Sequence, residues 1–108
     1  MTVGSDSKAA LITLQTIEII KKEFGVNINL GASNVSFGLP DRITVNQTFL
    51  AMAIQAGATC SITDPIKLGQ SIRSSDLLLG RDEFAVRYIK YFRTITALRE
   101  KESQLEKV

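Results

Sequence analysis

The residues best suited to chemistry lie in one polar turn, Gly31 to Arg42, reading Gly-Ala-Ser-Asn-Val-Ser-Phe-Gly-Leu-Pro-Asp-Arg. The turn joins an apolar strand-like run to an amphipathic helical run, where a scaffold commonly presents a binding loop. It offers an amide (Asn34), hydroxyls (Ser33, Ser36) and a guanidinium (Arg42), groups that hydrogen-bond a ligand. Arg42 is placed against the helix dipole. A helix start is partly positive and disfavours a cation by a few tenths of a kcal/mol, up to roughly 1. Either a specific partner holds Arg42 or it is a solvated arginine on a tolerant surface. Asn34 also has an ordinary reading, as a turn asparagine with positive φ or a local backbone hydrogen bond.

Other chemistry is thin. The chain has no histidine, which removes histidine triads, most zinc sites and the usual general base near neutral pH. Cys60 is the only cysteine, so no intrachain disulfide forms; it sits in an apolar run and is expected to be buried. No metal site is expected. A net charge of +2 is too small for the dense basic face that nucleic acid requires. No run reaches the ~18 apolar residues of a membrane span, and the first residues lack the apolar core of a secretory signal, which makes the cytoplasm the default location.

The elements that must position the turn follow from periodicity. At 108 residues, 44% hydrophobic and 22% charged, the chain has room for one core. Ser5, Asp6 and Ser7 offer caps for a helix in which Ala10, Leu14, Ile17, Ile20 and Phe24 share a face, with Gly25 as its stop. Val26, Ile28 and Leu30 alternate with Asn27 and Asn29 as a strand ending at Gly31. After the turn, Pro40 and Asp41 start a second helix with Val45, Phe49, Met52 and Ala56 on one stripe, widened by Leu50, Ala53 and Ile54. Thr59 to Thr63 form a second strand, stopped at Asp64-Pro65. Asp64 suits helix capping better than substrate binding. A third helix runs from about Ile66 to Leu79, closed by Gly80. Asp82 can cap a last helix whose apolar side is Phe84, Tyr88, Ile89, Phe92, Ile95 and Leu98, and residues 101–108 read as a charged helical tail.

Helix, strand, helix, strand, helix implies parallel strands joined by crossover helices. Two strands leave open edges and unpartnered helix faces, a poor free-standing domain. The run Gly31-Ala32-Ser33-Asn34-Val35-Ser36-Phe37-Gly38-Leu39-Pro40, with Arg42, Asn46, Phe49-Leu50-Ala51-Met52-Ala53, Ala56-Gly57 and Asp64-Pro65, resembles the pterin-binding barrel of methyltetrahydrofolate:corrinoid protein methyltransferases. Leu78-Leu79-Gly80-Arg81-Asp82-Glu83 and Arg87-Tyr88-Ile89-Lys90 fit that family's closing helices.

The resemblance implies an α/β fold that is part of a (β/α)8 barrel: strands seven and eight with their helices, residues 1–100, lacking the N-terminal portion. Thr2-Val3-Gly4 looks like the tail of strand six and Met1 like an internal methionine. It further implies that Asn34 is the catalytic amide at the methyl-bearing ring nitrogen, that Gly31, Ser33, Asn34, Arg42 and Ile62 bind the substrate methyltetrahydrofolate, and that a partner corrinoid protein carries the cobalamin. From the residues alone, Ile62 reads as plain core. The implied partners are that corrinoid protein and the N-terminal barrel portion, with a homodimer as a further option. Little activity is expected of the chain alone, and a non-catalytic remnant or interaction module is the alternative. Dihydropteroate synthases carry Ser-Arg-Lys-Ser at the loop and a late histidine, both absent here. Cobalamin-dependent methionine synthases share Ser-Asn-Val-Ser but usually have a longer insertion before the helix, whereas Phe37 to Arg42 is compact.

Overall fold

A computed structural model describes residues 2–106; Met1, Lys107 and Val108, and with them the reading of Met1 and the end of the 101–108 tail, lie outside the described residues. Helices and strands alternate as α1 (Ala9–Phe24), β1 (Asn29–Gly31), α2 (Arg42–Ala56), β2 (Cys60–Ile62), α3 (Pro65–Leu78) and α4 (Val86–Glu106). The molecule is α/β, mostly helical. β1 and β2 are parallel, as the intervening α2 dictates, with Asn29 opposite Cys60, Leu30 opposite Ser61 and Gly31 opposite Ile62. No helix among the described residues is long and apolar enough to cross a membrane.

Both strands are shorter than the alternation predicts, for a local reason. The Thr59 hydroxyl accepts the Ile28 N–H at 2.9 Å, while the Ile28 carbonyl accepts the N–H groups of Thr59 and Cys60 at 2.9 and 3.1 Å. A side chain thus takes the ladder's place where the strands enter. Thr2-Val3-Gly4 form no strand end: Thr2 has no regular structure, and Val3 and Gly4 lie in a turn with Ser5.

Helix limits follow their chemistry. Gly25 adopts φ 60° and sends its N–H to the Lys21 carbonyl at 2.9 Å, the left-handed stop that only glycine takes without strain. Asp64 caps α3 as expected, its Oδ1 accepting the Ile66 and Lys67 N–H groups at 2.9 and 3.3 Å. The start of α1 differs from expectation: Lys8 occupies the cap position without a side-chain bond, and Asp6 instead accepts the Lys8 N–H.

Two clusters make the core. Ala32, Leu50, Ile54 and Leu68 pack with Ile72, and Ile17, Ala53 and Ala58 pack with Leu14, Ile28, Leu30 and Ala56. α2 serves both, lying between α1 and α3. Its buried positions are Asn46, Phe49, Leu50, Ala53 and Ile54, so the set that widened the expected stripe is the true core face, and Met52 is exposed.

Leu30 faces the helices, so its neighbours Asn29 and Gly31, with their partners Cys60 and Ile62, face the other side of the sheet. No helix covers that side. Cys60 is exposed, contrary to the burial its apolar run predicts, and Ile62 is 70% exposed rather than core. α4 packs mainly along α3 and buries none of its residues; Phe92 and Leu98 of its expected apolar side are exposed, and Phe84 precedes the helix at φ 55°.

Candidate functional site

The Ser33-Asn34-Val35-Ser36 segment folds as a single 3-10 turn over Asn34–Ser36, closed by the Phe37 N–H on the Asn34 carbonyl at 3.2 Å. Val35 and Ser36 are fully buried, and the Val35 carbonyl accepts the Val3 N–H at 3.1 Å. Pinning the turn by its second half leaves Asn34 pointing outward, exposed to solvent. A Cβ placed on Gly31 would lie 3.5 Å from Asn34 Nδ2, so the amide lies over Gly31. Ile62, opposite Gly31, shares that open face.

Neither ordinary reading accounts for this asparagine. Asn34 is not among the residues with positive φ, and its side chain makes no hydrogen bond among the described residues. It is an unengaged amide above a glycine, beside an exposed isoleucine.

Arg42 is held by the loop. Its Nη2 donates to the Ser33 carbonyl at 2.9 Å, its Nε to Ser36 Oγ at 3.0 Å, and its guanidinium sits 5.9 Å from the Phe37 ring centroid. Charge-assisted hydrogen bonds contribute ~1.5–3 kcal/mol each when shielded and less when part-exposed, still enough to offset a dipole cost of at most about 1. Ser33 takes part through its carbonyl, which also accepts the Ser36 hydroxyl at 3.2 Å.

The five expected substrate-binding residues therefore fall into two adjoining groups. Gly31, Asn34 and Ile62 meet on the open sheet face. Ser33 and Arg42 instead line a cleft of about 250 Å³ between the N-terminal ends of α2 and α3, completed by Ile43, Asn46, Asp64, Lys67 and Leu68.

The sequence reading missed Asn46 and Lys67 as site residues. Asn46 is 8% exposed, and its Oδ1 is buried without a hydrogen-bond partner. Leaving such an acceptor unsatisfied costs roughly 1–3 kcal/mol. The available signal was its spacing, one helical turn after Arg42 in a stretch otherwise rich in apolar residues. Among the described residues, no three His, Cys, Asp or Glu side chains are grouped to hold a metal.

No protein-family model matches the chain. The chain is 32% identical over 96 residues to the methylcorrinoid:tetrahydrofolate methyltransferase of Eubacterium limosum, an alignment covering 86% of this chain and 35% of that protein. Turn, cleft and both strands thus belong to a chain that spans about a third of the length of the curated relative it matches.

Proposed function

We propose that this chain supplies the last two strands of a pterin-binding (β/α)8 barrel, and with them part of a site that transfers methyl between tetrahydrofolate and a corrinoid carried by a partner protein. The observation that carries this reading is the free Asn34 amide over Gly31, next to exposed Ile62, on a sheet face that no helix covers. The named relative acts between the same two molecules.

The residues fit a pterin edge. Ile62 offers an apolar floor, Gly31 a backbone without a side chain of its own, and Asn34 an amide that donates through NH2 or accepts through oxygen. A folate amine is a poor leaving group unless its nitrogen gains a proton or a strong hydrogen bond as the bond to methyl breaks. Rotation of the Asn34 amide serves both protonation states of that nitrogen, so one residue suits transfer in either direction. The corrinoid, when docked on its partner protein, would supply reduced cobalt as the acceptor of the methyl group.

The test mixes the chain with a separately made N-terminal barrel portion and follows methyl transfer by the corrinoid absorption spectrum. Transfer is expected in the mixture, little in either piece alone, and about 10²-fold less with Asn34→Ala. Absence of rescue at any ratio of the two pieces would leave a non-catalytic remnant or interaction module.

A further inference from the structure

We infer that the cleft between the N-terminal ends of α2 and α3 is a subsite for a carboxylate group of the ligand, bound by Asn46 and Lys67 together with Arg42. Its identity as the glutamate arm of a folate rests on the proposed function; its chemistry does not.

Three observations converge. Asn46 lines the cleft, is more than nine-tenths buried, and its side chain makes no hydrogen bond to any described residue. An amide in that condition gains nothing from its protein surroundings, and a half-turn of its terminal torsion presents either NH2 or oxygen to a ligand. Second, the cleft carries net positive charge, Arg42 and Lys67 against Asp64. The ion pairs of the described residues are Arg81–Asp76 and Arg87–Asp82, so neither Arg42 nor Lys67 is neutralised. Arg42 uses Nε and Nη2 on uncharged oxygens, leaving Nη1 free. The acid present, Asp64, has its Oδ1 on two backbone N–H groups of its own helix.

Third, two helix N-termini border the cleft, and α2 has no side-chain cap: Asp41 sits at its cap position in a left-handed conformation and accepts instead from the Thr44 hydroxyl at 2.7 Å. The uncapped first-turn N–H groups of α2 and the positive ends of both helices favour an anion. A carboxylate takes hydrogen bonds from an amide NH2, a guanidinium and an ammonium together. Ser33 borders the cleft and precedes Asn34, so the cleft adjoins the turn that carries the exposed amide.

The test uses the full ¹⁵N-labelled chain and three probes: 4-aminobenzoyl-L-glutamate, its uncharged diamide, and 6-methyltetrahydropterin, which has no arm. The dicarboxylate is expected to shift the Asn46 side-chain amide and the Lys67 backbone signal, and the diamide to shift neither. Asn46→Leu and Lys67→Met each weaken binding about 10-fold or more, the loss of one charge-assisted bond. Lys67 is exposed, so its replacement tests the site even where Asn46→Leu fails to fold. Equal shifts with the diamide, unchanged affinity in Lys67→Met, or silence with the dicarboxylate overturns the subsite. The tetrahydropterin reports separately through Asn34: its silence beside a responsive cleft removes the folate reading and upholds the carboxylate site.

Discussion

Arg42 enters α2 against the helix dipole and closes on the Ser33 carbonyl and the Ser36 hydroxyl, so a residue that looks misplaced in sequence holds the turn in shape. Asp82 plays a comparable part at α4. Its Oδ1 accepts the Arg87 N–H at 3.0 Å and its Oδ2 the Tyr88 N–H at 2.8 Å. The Arg87 backbone N–H, together with Tyr88 and the Arg87 charge, lowers the Asp82 pKa below 3.8 against the opposing effect of desolvation. A carboxyl lowered in the folded state stabilises fully above its unfolded pKa, and that contribution disappears as pH falls through the folded value. Chemical unfolding should therefore show Asp82→Asn less stable than the parent at pH 7, with the gap closing below pH 3.8. A gap independent of pH would mean that the charge plays no part. At this scale the turn and the Asp64 and Asp82 caps were readable from residue type and spacing. Asn46 was not, because Ile43, Val45, Phe49, Leu50, Met52, Ala53 and Ile54 surround α2 so broadly that periodicity cannot choose which side is buried.

At the scale of elements, helix order and strand positions followed from sequence because caps, Gly25 and Asp64-Pro65 punctuate them. Burial did not follow. A parallel strand rich in apolar residues is normally covered on both faces, whereas Cys60 and Ile62 lie on a face with no cover here. α4 shows the same discrepancy: it packs mainly against α3, and the two helices approach closely at Gly69. A Cβ there would collide with Tyr91 Oη and come 3.0 Å from Cζ, and the Tyr91 ring also carries the Arg73 guanidinium at 5.8 Å. Alanine improves helix propensity by up to about 1 kcal/mol, but displacing a packed ring costs ~1–3. Overpacking wins, so Gly69→Ala is expected to lower stability by about 1 kcal/mol and to speed amide exchange first along Val86–Glu106. A rise in thermal midpoint would show that α4 does not depend on this contact.

As a whole the molecule is a slab, 52 × 36 × 17 Å, with a radius of gyration of 16.0 Å where a compact chain of similar length would have about 13 Å. One layer of helices lies on one face of two strands, an arrangement that the shortage of strands already implied. On the proposed barrel reading, the bare sheet face is where the remaining strands and the pterin meet. Ile62→Thr keeps a branched strand residue at a solvent-facing position. Its cost to the chain alone is therefore about 0.5 kcal/mol or less, while methyl transfer reconstituted with the N-terminal portion should fall at least about 10-fold, the effect of removing apolar contact with the ring. Equal losses in unfolding and in reconstitution would place Ile62 in the chain's own core instead.

The bond from the Val3 amide to the Val35 carbonyl ties the turn ahead of α1 to the residue next to Asn34. Breaking it would release one anchor of the turn without altering any group placed against a ligand.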